Sequence, residues 1–225
     1  MKKNHFLKLL GIGLVIVFVC CGCGQRDDAS SVKKDDTDSS NITAGQEMQA
    51  DGELLSGKHY VNIIIKDRGT IKVELDADAA PITVTNFVKL AKDGFYDGVV
   101  FHRIIEDFMM QGGDPTGTGT GGSEVTIKGE FSANGVENNL SHVRGAISMA
   151  RSQDNDSASS QFFIVHKDAI YLDGQYACFG YVTEGMDIVD EICENTEGGD
   201  YNGIIPEENR PVIETIEVVE KAVKK

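Results

Sequence analysis

Short stretches in which hydrophobic and polar residues alternate make up most of the chain after Gly57. The segments YVNIIIKD and TIKVEL flank the pair Arg68-Gly69, and this pattern predicts a β-hairpin. Further strand-like segments are VVFHRII, FMMQGG, GAISMA, QFFIVH, YACFGYV and VIETIEVVE. Helical spacing occurs in PITVTNFVKLAKDG, which begins at Pro81 and ends at Gly94, and in GMDIVDEIC. Many short strands with two helices and no strict strand–helix alternation predict an antiparallel sheet or a closed barrel.

The first 22 residues differ in character from the rest of the chain. They contain three lysines, no acidic residue and an apolar run of about 11 residues from Leu9 to Val19. Such a run is shorter than the ~20 residues of a membrane-spanning helix, and its place behind a basic start is typical of a secretory signal. A buried core helix is the alternative, but the run has no polar face and leads directly into a polar tract. We therefore predict a signal peptide over residues 1–22.

Three of the five cysteines follow this apolar run directly, at positions 20, 21 and 23. The small residue Gly22 in front of Cys23 resembles the lipobox of bacterial lipoproteins. The resemblance implies that Cys23 receives a diacylglyceryl group and becomes the N-terminus, with Cys21 as the alternative. Two acyl chains hold a protein firmly at a membrane, so we expect a lipid-anchored protein on the extracytoplasmic face of the cell membrane. Cys178 and Cys193 lie in strand-like and helix-like segments, where we expect buried free thiols and no disulfide.

Polar composition divides the remainder of the chain into a tether and a domain. Residues 23–57 are rich in Asp, Ser, Lys, Gln and Gly and carry three basic against eight acidic residues. Because this segment has few apolar side chains, it cannot offset the entropy lost on ordering, and we predict a disordered acidic tether. Residues 58–225 form one domain with 15 basic and 28 acidic residues. The formal net charge of −15 excludes the basic face that is typical of nucleic-acid binding.

The motifs of the common enzyme classes are missing from the sequence. It contains no GxSxG or HExxH motif and no cysteine beside an obvious base. Glycines are concentrated between Gly117 and Gly122, but neither GKS nor GKT follows them, which favours a tightly turning loop over a phosphate site. The five histidines show no metal-binding spacing. We therefore expect neither a metal nor a cofactor.

Unusual residues are concentrated in three blocks, FHRIIEDFMMQGGD, MARSQDNDSASSQFFIVH and YLDGQYACFG. The run FHRII followed by FMxQGGD, with TGTGG, SQFFI and LDG after it in that order, resembles the signature of cyclophilin-type peptidyl-prolyl cis-trans isomerases. The resemblance extends from Lys58 to about Glu220 and includes GFYDG and GMDIV. It implies a mainly β fold, a closed eight-stranded antiparallel barrel capped by two helices, and catalysis of rotation about X-Pro bonds.

The resemblance also assigns roles to particular residues. Arg103 would donate a hydrogen bond to the proline nitrogen of the twisted amide, and Gln111 would hold its guanidinium group and touch the substrate carbonyl. An apolar proline pocket is implied at Phe108, Met109, Phe163 and Leu172. Backbone that meets the extended peptide is implied at Ala150, Arg151 and Ser152, and further groove residues at Gly119, Gln161, Tyr171 and Tyr176. By composition alone the four pocket residues are ordinary core residues, and Arg103 could form a surface salt bridge.

Prolyl isomerisation accounts for the lack of an obvious nucleophile. Rotation breaks no covalent σ bond, and its barrier of about 18–20 kcal/mol comes from amide resonance. A hydrogen-bond donor near the proline nitrogen and an apolar pocket both favour the twisted amide over the planar one. We expect the partners to be unfolded or nascent secreted proteins and the membrane, with no nucleic acid, and we expect a monomer. The alternative is a non-catalytic chaperone or scaffold lipoprotein that binds proline peptides.

Three departures from the best-known members of the family bear on specificity. Tyr171 stands where many eukaryotic members have the Trp that contacts cyclosporin, so we expect weakened drug sensitivity with catalysis preserved. Tyr176 replaces a frequent His. Arg151 replaces a frequent Asn, in a segment that is one residue longer than in eukaryotic members. We expect these changes to alter peptide preference more than activity.

Overall fold

A computed structural model describes residues 53–219 of the chain. Within this range it has eight strands: β1 Lys58–Ile65, β2 Gly69–Asp76, β3 Arg103–Ile105, β4 Met109–Gly112, β5 Ala146–Met149, β6 Phe162–Val165, β7 Cys178–Glu184 and β8 Ile213–Val219. The same range has two α-helices, α1 Pro81–Lys92 and α2 Met186–Asn195, and short 3-10 turns at Ser132–Asn134, Ile170–Leu172 and Glu207–Asn209. The predicted signal peptide, Cys23 and its alternative Cys21, the tether up to residue 52 and residues 220–225 lie outside the described residues.

The eight strands form one antiparallel sheet in the order β3-β4-β6-β5-β7-β2-β1-β8. Strands β1 and β2 form the hairpin predicted from the sequence, with Ile65 paired to Gly69 across the turn. The sheet is curled, but its edge strands β3 and β8 share no ladder in the described part of the chain. The fold is therefore an open, curled half-barrel with two helices, and the closed barrel expected from the sequence is not formed.

Isolated hydrogen bonds take the place of a ladder near the two edges of the sheet. The Phe101 amide donates to the Pro211 carbonyl at 2.9 Å, and the Ile104 amide donates to the Gly203 carbonyl at 2.8 Å. Strand β3 has only three residues. The chain opposite it contains Pro206 and Pro211, which have no N–H to donate to a ladder. The space between the edge strands β3 and β8 is therefore covered by irregular chain instead of a strand ladder.

Helix α1 begins at Pro81 and ends before Gly94, as its sequence predicts. Pro81 occupies the first turn, where a helix amide has no intrahelical partner in any case. Gly94 has φ of +69°, in the left-handed region that favours glycine. The buried Glu130 carboxylate accepts hydrogen bonds from the amides of Ile82 and Thr83 at 3.0 and 2.8 Å. The irregular segment before β5 thus supplies the N-terminal cap of α1, and burial raises the pKa of Glu130 in spite of these bonds.

Two hydrophobic clusters use alternate side chains of the central strands. On β6, Phe162 and Ile164 belong to the main core, whereas Phe163 and Val165 belong to a smaller cluster, because successive side chains point to opposite faces of a sheet. The smaller cluster contains Met109, Ala146, Phe163, Val165, Ala169, Leu172 and Cys178. Strand β6 is thus buried on both faces, which accounts for the unbroken apolar run in its sequence.

The folded domain starts before Lys58, the boundary predicted from the sequence. The Leu55 amide donates to the Thr85 hydroxyl at 2.9 Å, and the Leu55 side chain packs against the main core. Residues 53–57, which were assigned to the tether by composition, therefore belong to the domain because Leu55 finds apolar burial there.

Both cysteines of the domain are buried free thiols, as predicted from their positions. Burial raises the pKa of Cys178 and of Cys193 to about 12. Thiols in such surroundings behave as small hydrophobic groups. Between residues 53 and 219, no helix has the length and apolar character needed to cross a membrane.

Candidate functional site

One row of paired residues runs across five strands and carries the central candidates. Arg103 of β3 pairs with Gln111 of β4, Gln111 pairs with Phe163 of β6, and Phe163 pairs with Ser148 of β5. Ser148 in turn pairs with Cys178 of β7. We call these five residues the pocket row. Directly paired residues stand on the same face of a sheet, so the register alone brings Arg103 and Gln111 beside Phe163 on the side of the smaller cluster.

The guanidinium group of Arg103 is held at two points. Its Nη1 donates to Oε1 of Gln111 at 3.2 Å, and its Nε donates to the Asn202 carbonyl at 2.9 Å. Arg103 is half-buried, and burial lowers its pKa against smaller opposing effects of Tyr176 and Asp200. An arginine keeps its proton under such a shift. The site therefore holds an anchored, partly desolvated cation that uses two of its five N–H groups in these bonds.

The carbonyl that holds Nε of Arg103 comes from a turn at residues 200–204. The Asp200 carboxylate accepts from the amides of Asn202 and Ile204 at 2.9 and 2.8 Å. The turn lies so close to β3 that a Cβ on Gly203 would be 2.4 Å from Cγ1 of Ile105. Sequence reasoning missed Asn202 and Asp200, because 99 positions separate Asn202 from Arg103. The pattern Asp-x-Asn-Gly is nevertheless typical of a turn.

A chain of side-chain amides extends from Arg103 toward the glycine-rich segment. Nε2 of Gln111 donates to Oε1 of Gln161 at 2.9 Å, and Nε2 of Gln161 donates to the carbonyls of Gly121 and Gly119 at 2.7 and 3.1 Å. Each amide therefore donates at one end and accepts at the other, which directs Oε1 of Gln111 toward Arg103. The predicted residues Arg103, Gln111, Gln161 and Gly119 thus form one hydrogen-bonded network.

The glycine-rich segment is organised around the buried carboxylate of Asp114. This carboxylate accepts from the amides of Thr116, Gly119 and Gly121 at 2.7, 2.6 and 3.1 Å. Burial alone would raise the pKa of Asp114, but its hydrogen bonds outweigh burial and lower it. A Cβ on Gly121 would lie 2.2 Å from Oδ1 of Asp114, so this position requires glycine. The segment is a tight loop, as predicted, and sequence reasoning missed the carboxylate at its centre.

The four residues assigned to the proline pocket come together in the smaller cluster. Met109, Phe163 and Leu172 belong to this cluster, and Phe108 packs against it, as do Ala150 and Tyr176. Tyr171 lies at the rim, 62% exposed, with its ring centroid 6.1 Å from that of Phe108. Since Phe163 belongs to the pocket row, this apolar surface begins beside the Gln111–Arg103 pair.

A buried imidazole lies behind the pocket. The ring of His142 stacks on Phe163 with a centroid distance of 6.0 Å. Its Nδ1 lies 2.7 Å from Oδ1 of Asp173, and its Nε2 lies 2.9 Å from the Ser148 hydroxyl. Burial lowers the pKa of His142 more than Asp173 raises it. Because a carboxylate only accepts, Nδ1 donates to Asp173 and Nε2 accepts from Ser148. Sequence reasoning missed His142, since an isolated histidine gives no sign of the ring it will support.

The segment expected to meet an extended peptide is partly engaged by the protein itself. The Ala150 amide donates to the Gln161 carbonyl at 3.0 Å, and the Ser152 amide donates to the Ser157 hydroxyl at 2.9 Å. Ser152 is exposed, and Arg151 turns its side chain back over Tyr176. A peptide aligned on this segment would therefore meet carbonyl and side-chain groups in place of these two amides.

Two further site predictions concern lipidation and metal binding. Cys23 lies outside the described residues, so its lipidation stays a prediction. Among residues 53–219, no group of three or more His, Cys, Asp or Glu side chains is placed to hold a metal ion.

Relatives in sequence share the domain that carries this network. A family model described as cyclophilin type peptidyl-prolyl cis-trans isomerase/CLD matches residues 60–220. Peptidyl-prolyl cis-trans isomerase B of Bacillus subtilis (strain 168) is 47% identical over 137 residues, which cover 61% of this chain and 90% of the relative. A peptidyl-prolyl cis-trans isomerase of Helicobacter pylori (strain J99) is 46% identical over 128 residues, or 56% of this chain and 76% of the relative.

Solved structures show the same fold. A cyclophilin type peptidyl-prolyl cis-trans isomerase of Cryptosporidium parvum superposes with a TM-score of 0.64 at 30% identity and covers 72% of this chain and 98% of its own. A crystal structure of that protein in the presence of the dipeptide Ala-Pro gives a TM-score of 0.63 at 31% identity and covers 72% and 99%. The family model spans well over half of the chain and includes the whole pocket row. This chain therefore belongs to the cyclophilin-type peptidyl-prolyl cis-trans isomerase family.

Proposed function

We propose that this chain accelerates rotation about X-Pro bonds by burying the proline ring in the apolar pocket while Arg103 donates to the proline nitrogen. The observation that carries the proposal is the placement of a half-buried guanidinium, anchored at two points, beside an apolar cluster on one face of the sheet. This arrangement offers a donor and an apolar surface to the same small group, and a proline amide presents both a nitrogen and a ring.

The chemistry of the twisted amide explains why these groups are enough. In the planar amide the nitrogen lone pair is shared with the carbonyl, and twisting returns it to the nitrogen, which then becomes a hydrogen-bond acceptor. A donor at that point binds the transition state more strongly than the ground state, which is the requirement for catalysis. About 7 kcal/mol of such preference corresponds to a ~10⁵-fold acceleration.

The neighbours of Arg103 support this role by limiting its motion. Gln111 and the Asn202 carbonyl hold the guanidinium from two sides, so little reorganisation is needed when charge develops on the substrate. Gln111 is also proposed to meet the substrate carbonyl, with Gln161 and Gly119 lining the adjoining groove. The weakened cyclosporin sensitivity expected from Tyr171 stays a prediction, for which the exposed position of that ring at the pocket rim is relevant.

We further propose that the enzyme acts on newly secreted proteins outside the cytoplasmic membrane. The support is the sequence before the domain, where a basic start, an apolar run and Cys23 resemble a lipoprotein signal followed by an acidic tether. Unfolded chains that emerge from export contain X-Pro bonds whose isomerisation takes about 10–100 s without a catalyst. An enzyme tethered at that place would act before these chains fold.

An isomerisation assay on a short X-Pro peptide tests the catalytic proposal. We expect Arg103→Ala to lower kcat/KM by about a hundredfold or more, which corresponds to a loss of about 2.7 kcal/mol of transition-state binding. Arg144→Ala is the matched control, because it removes a surface guanidinium that bonds to Asp190, and it should keep the wild-type rate. Equal and negligible rates for the wild type and Arg103→Ala would favour the non-catalytic proline-peptide binder.

Fractionation of cells that produce the full chain tests the anchor. We expect Cys23→Ser to move the protein from the membrane fraction to the medium or the soluble extracytoplasmic fraction. Cys21→Ser is the matched control and should stay in the membrane fraction. The opposite pattern would assign the lipid to Cys21, and membrane retention of both variants would contradict lipidation at either cysteine.

A further inference from the structure

The guanidinium group of Arg151 is enclosed by two aromatic rings. Its Cζ lies 4.8 Å from the ring centroid of Tyr176 and 5.1 Å from that of Phe131. A planar guanidinium stacks well on a ring face, and the attraction grows as water is excluded. Phe131 belongs to the main core, and Tyr176 borders the smaller cluster. Arg151 therefore links the two hydrophobic clusters of the domain.

The N–H groups of Arg151 are committed to the backbone. Nε and Nη2 both donate to the Gln175 carbonyl, at 3.1 and 2.9 Å. Nη1 donates to the Ser152 carbonyl at 2.9 Å and to the Gln153 carbonyl at 3.4 Å. A guanidinium has five N–H groups, so these bonds use four of them. Arg151 is thus poorly suited to serve as a free charge for the substrate and well suited to hold two segments together.

The position of Tyr176 gives this link a consequence for the pocket. The Tyr176 ring meets Phe163 edge to face, with a centroid distance of 6.1 Å and an interplanar angle of 83°. The same ring also meets the guanidinium of Arg151. The ring is therefore held between Phe163 of the pocket row and a cation that is itself fixed against Phe131.

We propose that Arg151 is a positioning residue of the isomerase site, which fixes Tyr176 as a wall of the proline pocket by bracing it against Phe131. This inference rests on the proposed function, because it assigns the pocket to the substrate proline. Without the guanidinium, the Gln175–Tyr176 segment loses the bonds that tie it to residues 151–153, and the Tyr176 ring loses a contact that holds it against Phe163.

The expected kinetic effect follows from the contact between the Tyr176 ring and the substrate proline. This contact is the same for the planar and the twisted amide, so its loss should weaken the binding of both states equally and raise KM with little change in kcat. We expect Arg151→Ala to raise KM by about tenfold, which corresponds to about 1.4 kcal/mol. Arg151→Lys should raise KM nearly as far, because an ammonium keeps the charge but lacks the planar fork.

Two peptides, one with Glu and one with Ala before proline, separate positioning from charge attraction. Positioning predicts the same rise in KM for both peptides and for both variants. Arg151→Ala in a Tyr176→Ala background should add almost nothing, because the ring that it positions is gone. Charge attraction predicts instead that Arg151→Lys stays close to the wild type and that only the Glu peptide suffers in Arg151→Ala. That result would overturn the proposal.

Arg144→Ala controls for a general loss of stability. Its guanidinium also bonds to a backbone carbonyl, that of His166, and to Asp190, so its removal should lower the melting temperature without changing KM. Calorimetric titration of the Ala peptide into each variant measures Kd independently of turnover. An inactive wild type would defeat the proposed function, whereas the Kd series would still decide the role of Arg151. Wild-type Kd and KM values in Arg151→Ala would refute the positioning role of Arg151.

Discussion

Phe162 and Phe163 are neighbours on β6, yet they belong to different parts of the molecule. Phe162 is fully buried and packs edge to face against three aromatic rings at centroid distances of 5.4 to 5.9 Å. Phe163 stands on the opposite face, where it stacks on the imidazole of His142 and meets the ring of Tyr176. One strand thus contributes alternate side chains to the core and to the site.

The residues paired with these two phenylalanines differ in the same way. Phe162 pairs with Gly112 and Met149, whereas Phe163 pairs with Gln111 and Ser148. The core side gains stability from apolar contact, while the pocket side keeps polar groups that bond to Arg103 and His142. The same substitution at the two positions should therefore separate stability from substrate binding.

Phe162→Ala should have the largest effect on stability. It removes a ring from a closed core and leaves a cavity that water cannot fill, so we expect the free energy of unfolding to fall by about 3–5 kcal/mol. This is a large share of the roughly 5–15 kcal/mol of an ordinary domain. Urea denaturation measures the loss, and isomerase kinetics at low temperature should give the wild-type KM for the folded protein. A raised KM would show that Phe162 affects substrate binding as well as stability.

Phe163→Ala should lower stability less and substrate binding more. Phe163 keeps 5% of its surface exposed, whereas Phe162 is fully buried, so we expect water to enter the space left by the ring and the free energy of unfolding to fall by only about 2 kcal/mol. The proline ring loses its main apolar contact, and KM should rise about tenfold or more. The same two measurements apply. A wild-type KM together with a stability loss equal to that of Phe162→Ala would show that Phe163 is only a core residue.

Asp114→Asn tests how far the pocket side depends on the loop beside it. An Asn amide replaces one carboxylate oxygen, so the bonds from the Gly119 and Gly121 amides are lost, at about 1.5–2 kcal/mol of stability in all. The carbonyls that hold Gln161 then shift, and kcat/KM should fall about threefold. Asp168→Asn is the control, because Asp168 also accepts an amide but lies in an exposed position. Equal kcat/KM values for both variants would show that the glycine-rich loop does not influence the site.

The elements on the core side were predictable because their signals are local. Alternation on both sides of Arg68-Gly69 gave the β1–β2 hairpin, and Gly69 has φ of +127° in its turn. Pro81 and Gly94 marked the ends of α1. The pocket residues were placed only by resemblance to a family, since an apolar residue in a buried strand has the same local pattern on either face.

The remaining features depend on contacts between distant parts of the chain. Glu130 caps a helix whose amides lie 47 and 48 positions before it, and no period or motif connects the two. Pro206 and Pro211 lie in the segment that runs beside residues 101–104, and their missing donors limit pairing only because that distant segment lies there. Sequence periods predict the strand segments along the chain, but they do not show whether the two edge strands of the sheet, β3 and β8, would meet.

Titration of His142, whose ring stacks on Phe163, should produce the smallest of these effects. The unfolded chain takes up protons on its histidines near pH 6.5, their ordinary pKa. Burial lowers the pKa of His142 and of His102 in the folded protein. Below about pH 6.5 the unfolded state therefore binds more protons than the native state, and the free energy of unfolding decreases as the solution becomes more acidic. Above that pH the contribution of each histidine is complete.

The size of this effect is limited to about 1.4 kcal/mol per pH unit for each histidine. Asp114 and Asp173 have lowered pKa values, so their contributions are lost only in more acidic solution. Glu130 has a raised pKa and acts in the opposite direction, so the difference between urea midpoints measured at about pH 7.5 and 5.5 combines the histidines with Glu130, and a His142 variant isolates the share of His142. His142→Gln keeps a donor for Asp173 and an acceptor for Ser148, and it should reduce the difference between the two midpoints. Phe162→Ala should keep the full difference, because no imidazole from residues 53–219 stacks on Phe162. Equal pH dependence in His142→Gln and the wild type would show that His142 does not contribute to the pH dependence of stability.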